Sequence, residues 1–173
     1  MAENDAAAPA AGGEKASETQ APPITLTAQY VKDLSFENPD APRSLGDLNP
    51  PPGIRVDVDV EAKELGNRYY EAVIHVRASA ERDEKTFFVV EVSYGGVCAV
   101  AEHVPDNTVQ PLVMIEGPRL LFPFARAVIS DAVRDGGFPP LLINPIDFTA
   151  LYRQLRTRPE KPQNAEANGE ASA

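Results

Sequence analysis

The chain has 173 residues, enough for one domain with a sizeable core, and a formal net charge of −10 from 16 basic and 26 acidic side chains. That balance argues against nucleic acid or an anionic membrane as the main partner. The single cysteine, Cys98, excludes an internal disulfide framework and fits a reducing compartment. There is no signal-peptide pattern and no apolar run near the ~20 residues of a membrane span, so we expect a soluble cytoplasmic protein.

The two ends differ from the middle in composition. Residues 1–23 are rich in Ala, Glu, Pro and Gly, and residues 157–173 are similarly polar. Neither end can bury enough apolar surface to offset the entropy cost of ordering it. The sequence therefore predicts disordered tails at 1–23 and 157–173 around one folded domain at 24–156.

The first half of the domain has the patterns of strands. Residues 24–33 predict a first strand, and five prolines within 38–53 predict a long surface crossover after it. Residues 54–62 alternate strictly between apolar and polar side chains, which is typical of a half-buried strand. On that pattern, Ile54, Val56, Val58, Val60 and Ala62 share one face.

Two further strands follow. Residues 70–80 alternate less cleanly, and residues 85–94 are apolar on both faces, which predicts a strand covered on both sides. Gly95 and Gly96 predict a bulge or sharp bend, after which the strand should resume over 97–104.

Two helices complete the domain. A wide apolar pattern predicts a helix over 118–135, with Gly117 as a turn residue before it and Gly136-Gly137 as its end. Asn144 is expected to cap a second helix, with Pro145 at its first position and Asp147 near its N-terminus. Four strands followed by two helices predict an α+β fold.

Catalytic and metal-binding chemistry is poorly represented. Cys98, His103 and Asp106 lie close in sequence, but Cys98 sits in the apolar run VCAVA, where a buried structural thiol is expected. His75 alternates within a strand and should face solvent or a carboxylate. Two histidines and one cysteine form no zinc spacing, and no phosphate-binding glycine loop is present. We therefore predict that the protein is not an enzyme and uses no metal or other cofactor.

Five segments in order along the predicted domain resemble one family. They are VKDLSFE at 31–37, NPDAP at 38–42, EVSYGGV at 91–97, LLFPFAR at 120–126 and GGFPPLLINPIDFTALY at 136–152. Together they are similar to SecB, the bacterial protein-export chaperone family. The resemblance covers about 24–156, and polar, acidic tails are also similar to the family.

The resemblance implies both a fold and an activity. It implies a four-stranded antiparallel sheet packed with two helices and assembled as a dimer of dimers. It implies an ATP-independent cytoplasmic chaperone that keeps exported preproteins unfolded and delivers them to the SecA motor ATPase. A SecB-like chaperone dedicated to another client, such as a toxin–antitoxin system, is the alternative.

The resemblance also assigns two surfaces to the strands. The SecA-binding residues would be Asp33, Glu37, Val89 and Glu91, and the alternative is that these charges are ordinary solvated side chains. The oligomer interface would be formed by Phe88, Val90, Val92 and Tyr94, and the alternative is the core of a single chain. The doubly apolar strand and helix favour the interface, because one small sheet cannot cover both.

The client groove is expected between the second helix, the crossover and neighbouring surface, with the run FPPLLINP nearby. Its candidate residues are Phe36, Leu45, Leu48, Phe148, Tyr152 and Leu155, for which the alternative is a place in the core. Residues 43–53 contain no aromatic side chain, whereas many family members have one in the crossover. Leu45 or Leu48 would then take its place, and the preference for clients would shift.

Overall fold

The alternating segments form the four strands of one antiparallel sheet in the computed structural model, which describes residues 21–157. The strands are β1 (Ile24–Glu37), β2 (Gly53–Gly66), β3 (Tyr69–Arg82) and β4 (Lys85–Val100). Their order in the sheet is β1-β4-β3-β2, so β1 and β2 are the two edges. The tails predicted at 1–23 and 157–173 lie outside the described residues, apart from 21–23 and 157, and stay predictions.

The predicted crossover is confirmed. Residues 38–52 carry the chain from one edge of the sheet to the other and include a single-turn helix, α1 (Arg43–Gly46). Two ion pairs tie the crossover to the β3–β4 hairpin: Lys85 Nζ to Asp40 Oδ2 at 2.8 Å, and Arg82 Nη2 to Asp47 Oδ2 at 2.7 Å.

The prediction of a bulge at Gly95 and Gly96 is wrong, because β4 runs unbroken through both residues. The register shifts lie instead on the opposite strand, at Thr27 and Lys32 of β1. The glycines permit close approach: a Cβ on Gly96 would lie 2.6 Å from Leu121 Cδ2 of the covering helix. The strand also ends at Val100, and a turn replaces the strand expected over 101–104.

The first long helix starts earlier than predicted. It is α2 (Asp106–Asp135), so Gly117 is a buried interior residue and not a turn before the helix. Three prolines lie within α2, at positions 111, 118 and 123. Each removes a backbone hydrogen bond, but a buried series at every fourth position holds the helix on the sheet: Val109, Val113, Gly117, Leu121, Ala125, Ile129 and Val133. Packing therefore outweighs local propensity.

The last helix is α3 (Phe148–Thr157), and its cap is Asp147 rather than Asn144. One carboxylate oxygen of Asp147 accepts hydrogen bonds from the backbone N–H groups of Thr149 at 2.9 Å and Ala150 at 3.0 Å. Residues 139–147 run without regular structure from the end of α2 to this cap. Because α2 covers one face of the sheet and α3 packs on α2, the predicted α+β architecture is confirmed.

Candidate functional site

Strand β2 has two surfaces with opposite chemistry. On the side of α2, Ile54 and Val56 keep 47% and 37% of their surface exposed, whereas Val60 of the same face is buried. The other side carries Arg55, Asp57 and Asp59, all exposed. The strict alternation of the strand thus places an apolar surface and an acidic surface back to back.

The apolar surface is a groove between β2, the end of the crossover and residues 138–146. It has two compartments of about 270 and 530 Å³, which share Ile54 and Leu141. No charged side chain lines either compartment. The first is lined by Leu48, Pro51, Pro52, Ile54, Phe88, Phe138, Pro139, Pro140 and Leu141, and the second by Ile54, Val56, Val58, Leu141, Leu142, Ile143, Asn144, Ile146 and Leu151.

Of the six predicted client-binding residues, only Leu48 lines this groove. Phe148 is 2% exposed and packs edge-on against Phe122, with 5.8 Å between the ring centroids, so it belongs to the core. This placement matches the alternative, a place in the core, because α3 turns its first residue inward onto α2; contact of Phe148 with a client stays a prediction.

Phe36 and Leu45 cover the end of α2. A Cβ on Gly136 would overlap the ring of Phe36, and one on Gly137 would lie 3.1 Å from Leu45 Cδ2. Phe36 also stacks on Phe88, one of the groove's lining rings, at 6.0 Å between centroids. Phe36 and Leu45 therefore pack next to the residues that form the groove and do not line it themselves.

Tyr152 and Leu155 face a different concavity, of about 370 Å³, between α3 and the N-terminal half of α2. Met114 and Pro111 share it with the amide side chains of Asn107 and Gln110. The six candidates are thus distributed among the groove, the core and this second concavity, and do not form one surface.

Sequence reasoning missed most of the groove. Its exposed residues include Leu142, which at 81% exposure is the most exposed large apolar side chain in the described part of the chain. The run FPPLLINP at 138–145 was the available signal, because its prolines favour an extended segment and its leucines have no periodic partner. Ile54 and Val56 were predicted on one face of β2 but not as open surface.

The predicted SecA-binding residues do share one face of the sheet, opposite α2. Asp33 pairs with Ser93, Glu37 with Val89, and Glu91 with Ser35, and paired residues project to the same side. A concavity of about 320 Å³ lies on this open face, and Asp33 and Glu91 line it. Glu91 also forms an ion pair with Arg77 of β3.

Asp57, Asp59 and His75 line the same concavity and were not among the candidates. His75 Nδ1 lies 2.9 Å from Ser93 Oγ, and its Nε2 lies 3.7 Å from a carboxylate oxygen of Glu61. The expectation that His75 faces solvent or a carboxylate is confirmed. The open face is therefore acidic on both edge strands.

The predicted interface residues lie under the chain's own helix. Phe88, Val90, Val92 and Tyr94 are 3%, 0%, 2% and 7% exposed and form part of the core. This placement matches the alternative, the core of a single chain, and their contact with a second chain stays a prediction. Exposed apolar side chains occur nearby: Val31 and Leu34 on β1, and Phe124 on α2, which stacks on Tyr94.

The residues considered for catalysis lie in different environments. Cys98 is fully buried, as predicted, and burial raises the pKa of its thiol, whereas His103 is exposed. Between residues 21 and 157, no group of three or more His, Cys, Asp or Glu side chains is placed to hold a metal ion. No helix of that region is long and apolar enough to cross a membrane.

Comparison with known proteins gives a consistent result. Residues 17–158 match the family model of the preprotein translocase subunit SecB. The chain is 51% identical over 142 residues to the protein-export protein SecB of Methylocella silvestris, covering 82% of this chain and 88% of that protein. It is 48% identical over 151 residues to that of Maricaulis maris, covering 87% of each.

Among solved structures, the chain is similar to the Mycobacterium tuberculosis SecB-like chaperone Rv1957 in complex with a ChAD peptide from the HigA1 antitoxin. The TM-score is 0.56 at 12% identity, over 71% of this chain and 90% of that one. At this identity the likeness shows the fold alone.

Proposed function

Because the chain belongs to the SecB family of protein-export chaperones, we propose that it holds preproteins unfolded without ATP and delivers them to the SecA motor in the cytoplasm. The observation that carries the proposal is the uncharged groove beside β2. An unfolded chain exposes apolar segments, and the groove offers apolar surface without the polar contacts that would demand one particular sequence.

The energy of such binding scales with area. Each 100 Å² of apolar client surface removed from water contributes about 2.5 kcal/mol before the cost of ordering the client is subtracted. Two connected compartments let one extended segment place several side chains in succession. Such a groove can therefore bind many different sequences tightly enough to delay their folding.

The acidic open face supports delivery to a motor. Asp33, Asp57 and Asp59 line its concavity, and a basic segment of SecA would be attracted to them. Because this face and the groove lie on opposite sides of the sheet, client and motor could be bound at the same time.

We also propose the dimer of dimers implied by the family. Its support is the exposed apolar surface formed by Val31, Leu34 and Phe124, next to the free edge of β1. Light scattering should then give a mass about four times the 18.7 kDa of one chain. A stable monomer at low concentration would contradict the assembly.

The alternative of a toxin–antitoxin client has less support. The relatives at about 50% identity are named for protein export, whereas the antitoxin complex is 12% identical. The test is a refolding assay with a slowly folding preprotein. We expect delayed refolding without ATP, followed by release when SecA is added. Refolding at the rate measured without the chaperone would refute the holding activity. Retention of the preprotein after SecA is added would refute delivery.

A further inference from the structure

The open face of β1 does not follow the alternation of a regular strand. Thr25, Ala28, Tyr30, Asp33 and Glu37 all pair with odd-numbered residues of β4, from Ala99 to Val89, and so project to one side. Odd and even positions of β1 can share a face only because extra residues interrupt the register. Those residues are Thr27 and Lys32.

The bulge at Lys32 decides where the acidic residues point. Tyr30 precedes it, and Asp33 and Glu37 follow it on the same face. In a regular register, Lys32 would pair with Ser93 and Asp33 with Val92, so the carboxylates of Asp33 and Glu37 would project toward α2. The acidic edge of the open face therefore depends on one local irregularity of an edge strand, which is paired on one side only.

A cluster of three side chains reaches across the sheet at this bulge. Lys32 Nζ donates to Glu71 Oε1 at 2.8 Å, and the hydroxyl of Tyr30 donates to the same oxygen. Glu71 belongs to β3, two strands away, and its side chain is 15% exposed. The side chain of Lys32 is 50% exposed, so the cluster is held by two donors that share one carboxylate oxygen rather than by a buried ion pair.

Gly95 of β4 makes the span possible. It lies between β1 and β3, and a Cβ there would stand 2.8 Å from Tyr30 Cε2. The ring of Tyr30 therefore passes over Gly95 of β4 and carries its hydroxyl to Glu71. Thr27, the other extra residue of β1, is also held in place by its own side chain, because Thr27 Oγ1 donates to the carbonyl oxygen of Val97 at 3.0 Å.

We propose that Tyr30, Lys32 and Glu71 are positioning residues for the docking face: they fix the bulge at Lys32 and so keep Asp33 and Glu37 directed toward a basic partner. The inference rests on the proposed function, in which SecA binds this face. It assigns to the three residues a role in partner affinity without direct contact with the partner.

Two substitutions at Glu71 separate positioning from charge. Glu71→Ala removes the acceptor, whereas Glu71→Gln keeps an amide oxygen in its place, and both remove the same negative charge. With Glu71→Ala we expect amide hydrogen exchange over residues 31–37 to accelerate and SecA affinity to fall, each by about tenfold. Glu71→Gln should stay closer to the original protein in both measurements.

The controls make each outcome decisive. Glu64→Ala, an exposed acid at the end of β2 with its side chain toward α2, should change neither measurement. Equal losses of SecA affinity with Glu71→Ala and Glu71→Gln would overturn the positioning role in favour of a plain charge effect. Unchanged amide hydrogen exchange on β1 in Glu71→Ala would overturn it as well. If Glu71→Ala does not fold, Tyr30→Phe tests the same point, because it keeps the ring over Gly95 and changes no charge.

The failure of the docking proposal is a separate result. If SecA does not bind this face, Asp33→Lys will leave SecA affinity unchanged, while Glu71→Ala will still accelerate amide hydrogen exchange on β1. Loss of affinity with Asp33→Lys, combined with normal exchange in Glu71→Ala, would keep the docking face and remove the positioning role.

Discussion

Gly117 of α2 lies directly against Ala72 of β3, so that a Cβ on Gly117 would stand 2.8 Å from the Ala72 Cβ. Both residues are buried, and Cys98 lies under the same point of the helix. The two smallest side chains thus set how closely α2 approaches the sheet.

Substituting Gly117→Val should therefore destabilise the fold. Overpacking should lower the free energy of unfolding by about 1–3 kcal/mol, although valine is the better helix former. Chemical denaturation measures the change. Gly46→Ala is the control, because nothing lies within 4 Å of its Cβ position, and it should stay within about 0.5 kcal/mol. A Gly117→Val protein as stable as the original would contradict the close contact.

Arg68 joins the β2–β3 hairpin to the start of α2. Its guanidinium donates to the carbonyl oxygens of Ala101 at 3.0 Å and Val104 at 2.6 Å, and to Asp106 Oδ1 at 2.8 Å. We expect Arg68→Ala to lower the free energy of unfolding by about 1–3 kcal/mol, because the carbonyl oxygen of Val104 loses its arginine donor and that of Ala101 keeps only the backbone N–H of Val104. Arginine and alanine at position 68 must both adopt the positive φ of this turn, so the backbone contributes little to the difference in stability between the two proteins.

Thermal or chemical denaturation tests this role, with Arg153→Ala as the control for loss of an exposed arginine on α3. Arg68→Lys should recover only part of the stability, since an ammonium group cannot reproduce the fork of donors. Full recovery with lysine would show that charge alone matters.

The hydrogen bond to Glu71 raises the pKa of Tyr30 to about 12 from its ordinary value of 10.0, with burial as the second cause. A folded pKa above the unfolded one means that the contribution to stability is complete below pH 10 and is lost as the pH rises toward 12. The tyrosinate absorbance of the folded protein should contain a step for Tyr30 near pH 12. Tyr30→Phe should remove that step, and its persistence would contradict the assignment.

Reversing charge on the open face should separate the two binding activities. With Asp33→Lys and Glu91→Lys together, we expect SecA affinity to be abolished while client binding persists, because the groove lies on the other side of the sheet. Calorimetric titration with SecA measures the first, and the refolding assay the second. Glu64→Lys with Glu102→Lys makes the same change in net charge at two other exposed positions and should bind SecA normally. Unchanged SecA binding by the first variant would refute the docking face.

The strands could be predicted because alternation is a local property, and β2 follows it without a register shift from Gly53 to Glu64. The start of α2 could not, because Pro111 and Pro118 are ordinarily helix breakers. Their cost is outweighed by contacts with the sheet that no local pattern contains. The buried series from Val109 onward was visible in the sequence, but only once those prolines are allowed inside the helix.

The equal parity of Asp33 and Glu37 predicts that they share a face, yet parity alone could not show which side of the sheet that face is. Their orientation relative to Tyr30 depends on the bulge at Lys32, which involves a contact with Glu71 39 residues away. The residues that line the groove were harder to predict from the sequence. Phe148 and Leu142 are both large apolar residues, but one is buried by α2 and the other is exposed, and only tertiary packing separates them.

The most direct test of the central claim, that the groove beside β2 holds unfolded preprotein, is the refolding rate of a slowly folding preprotein in the presence of groove variants. We predict that the original protein delays refolding without ATP and that Leu142→Asp or Ile54→Asp weakens client affinity by about tenfold or more, since a charge must then be desolvated in an apolar site. Leu65→Asp is the matched control, because Leu65 is 51% exposed and does not line the groove. Delay by the two groove variants equal to that of the original protein and of Leu65→Asp would contradict the account.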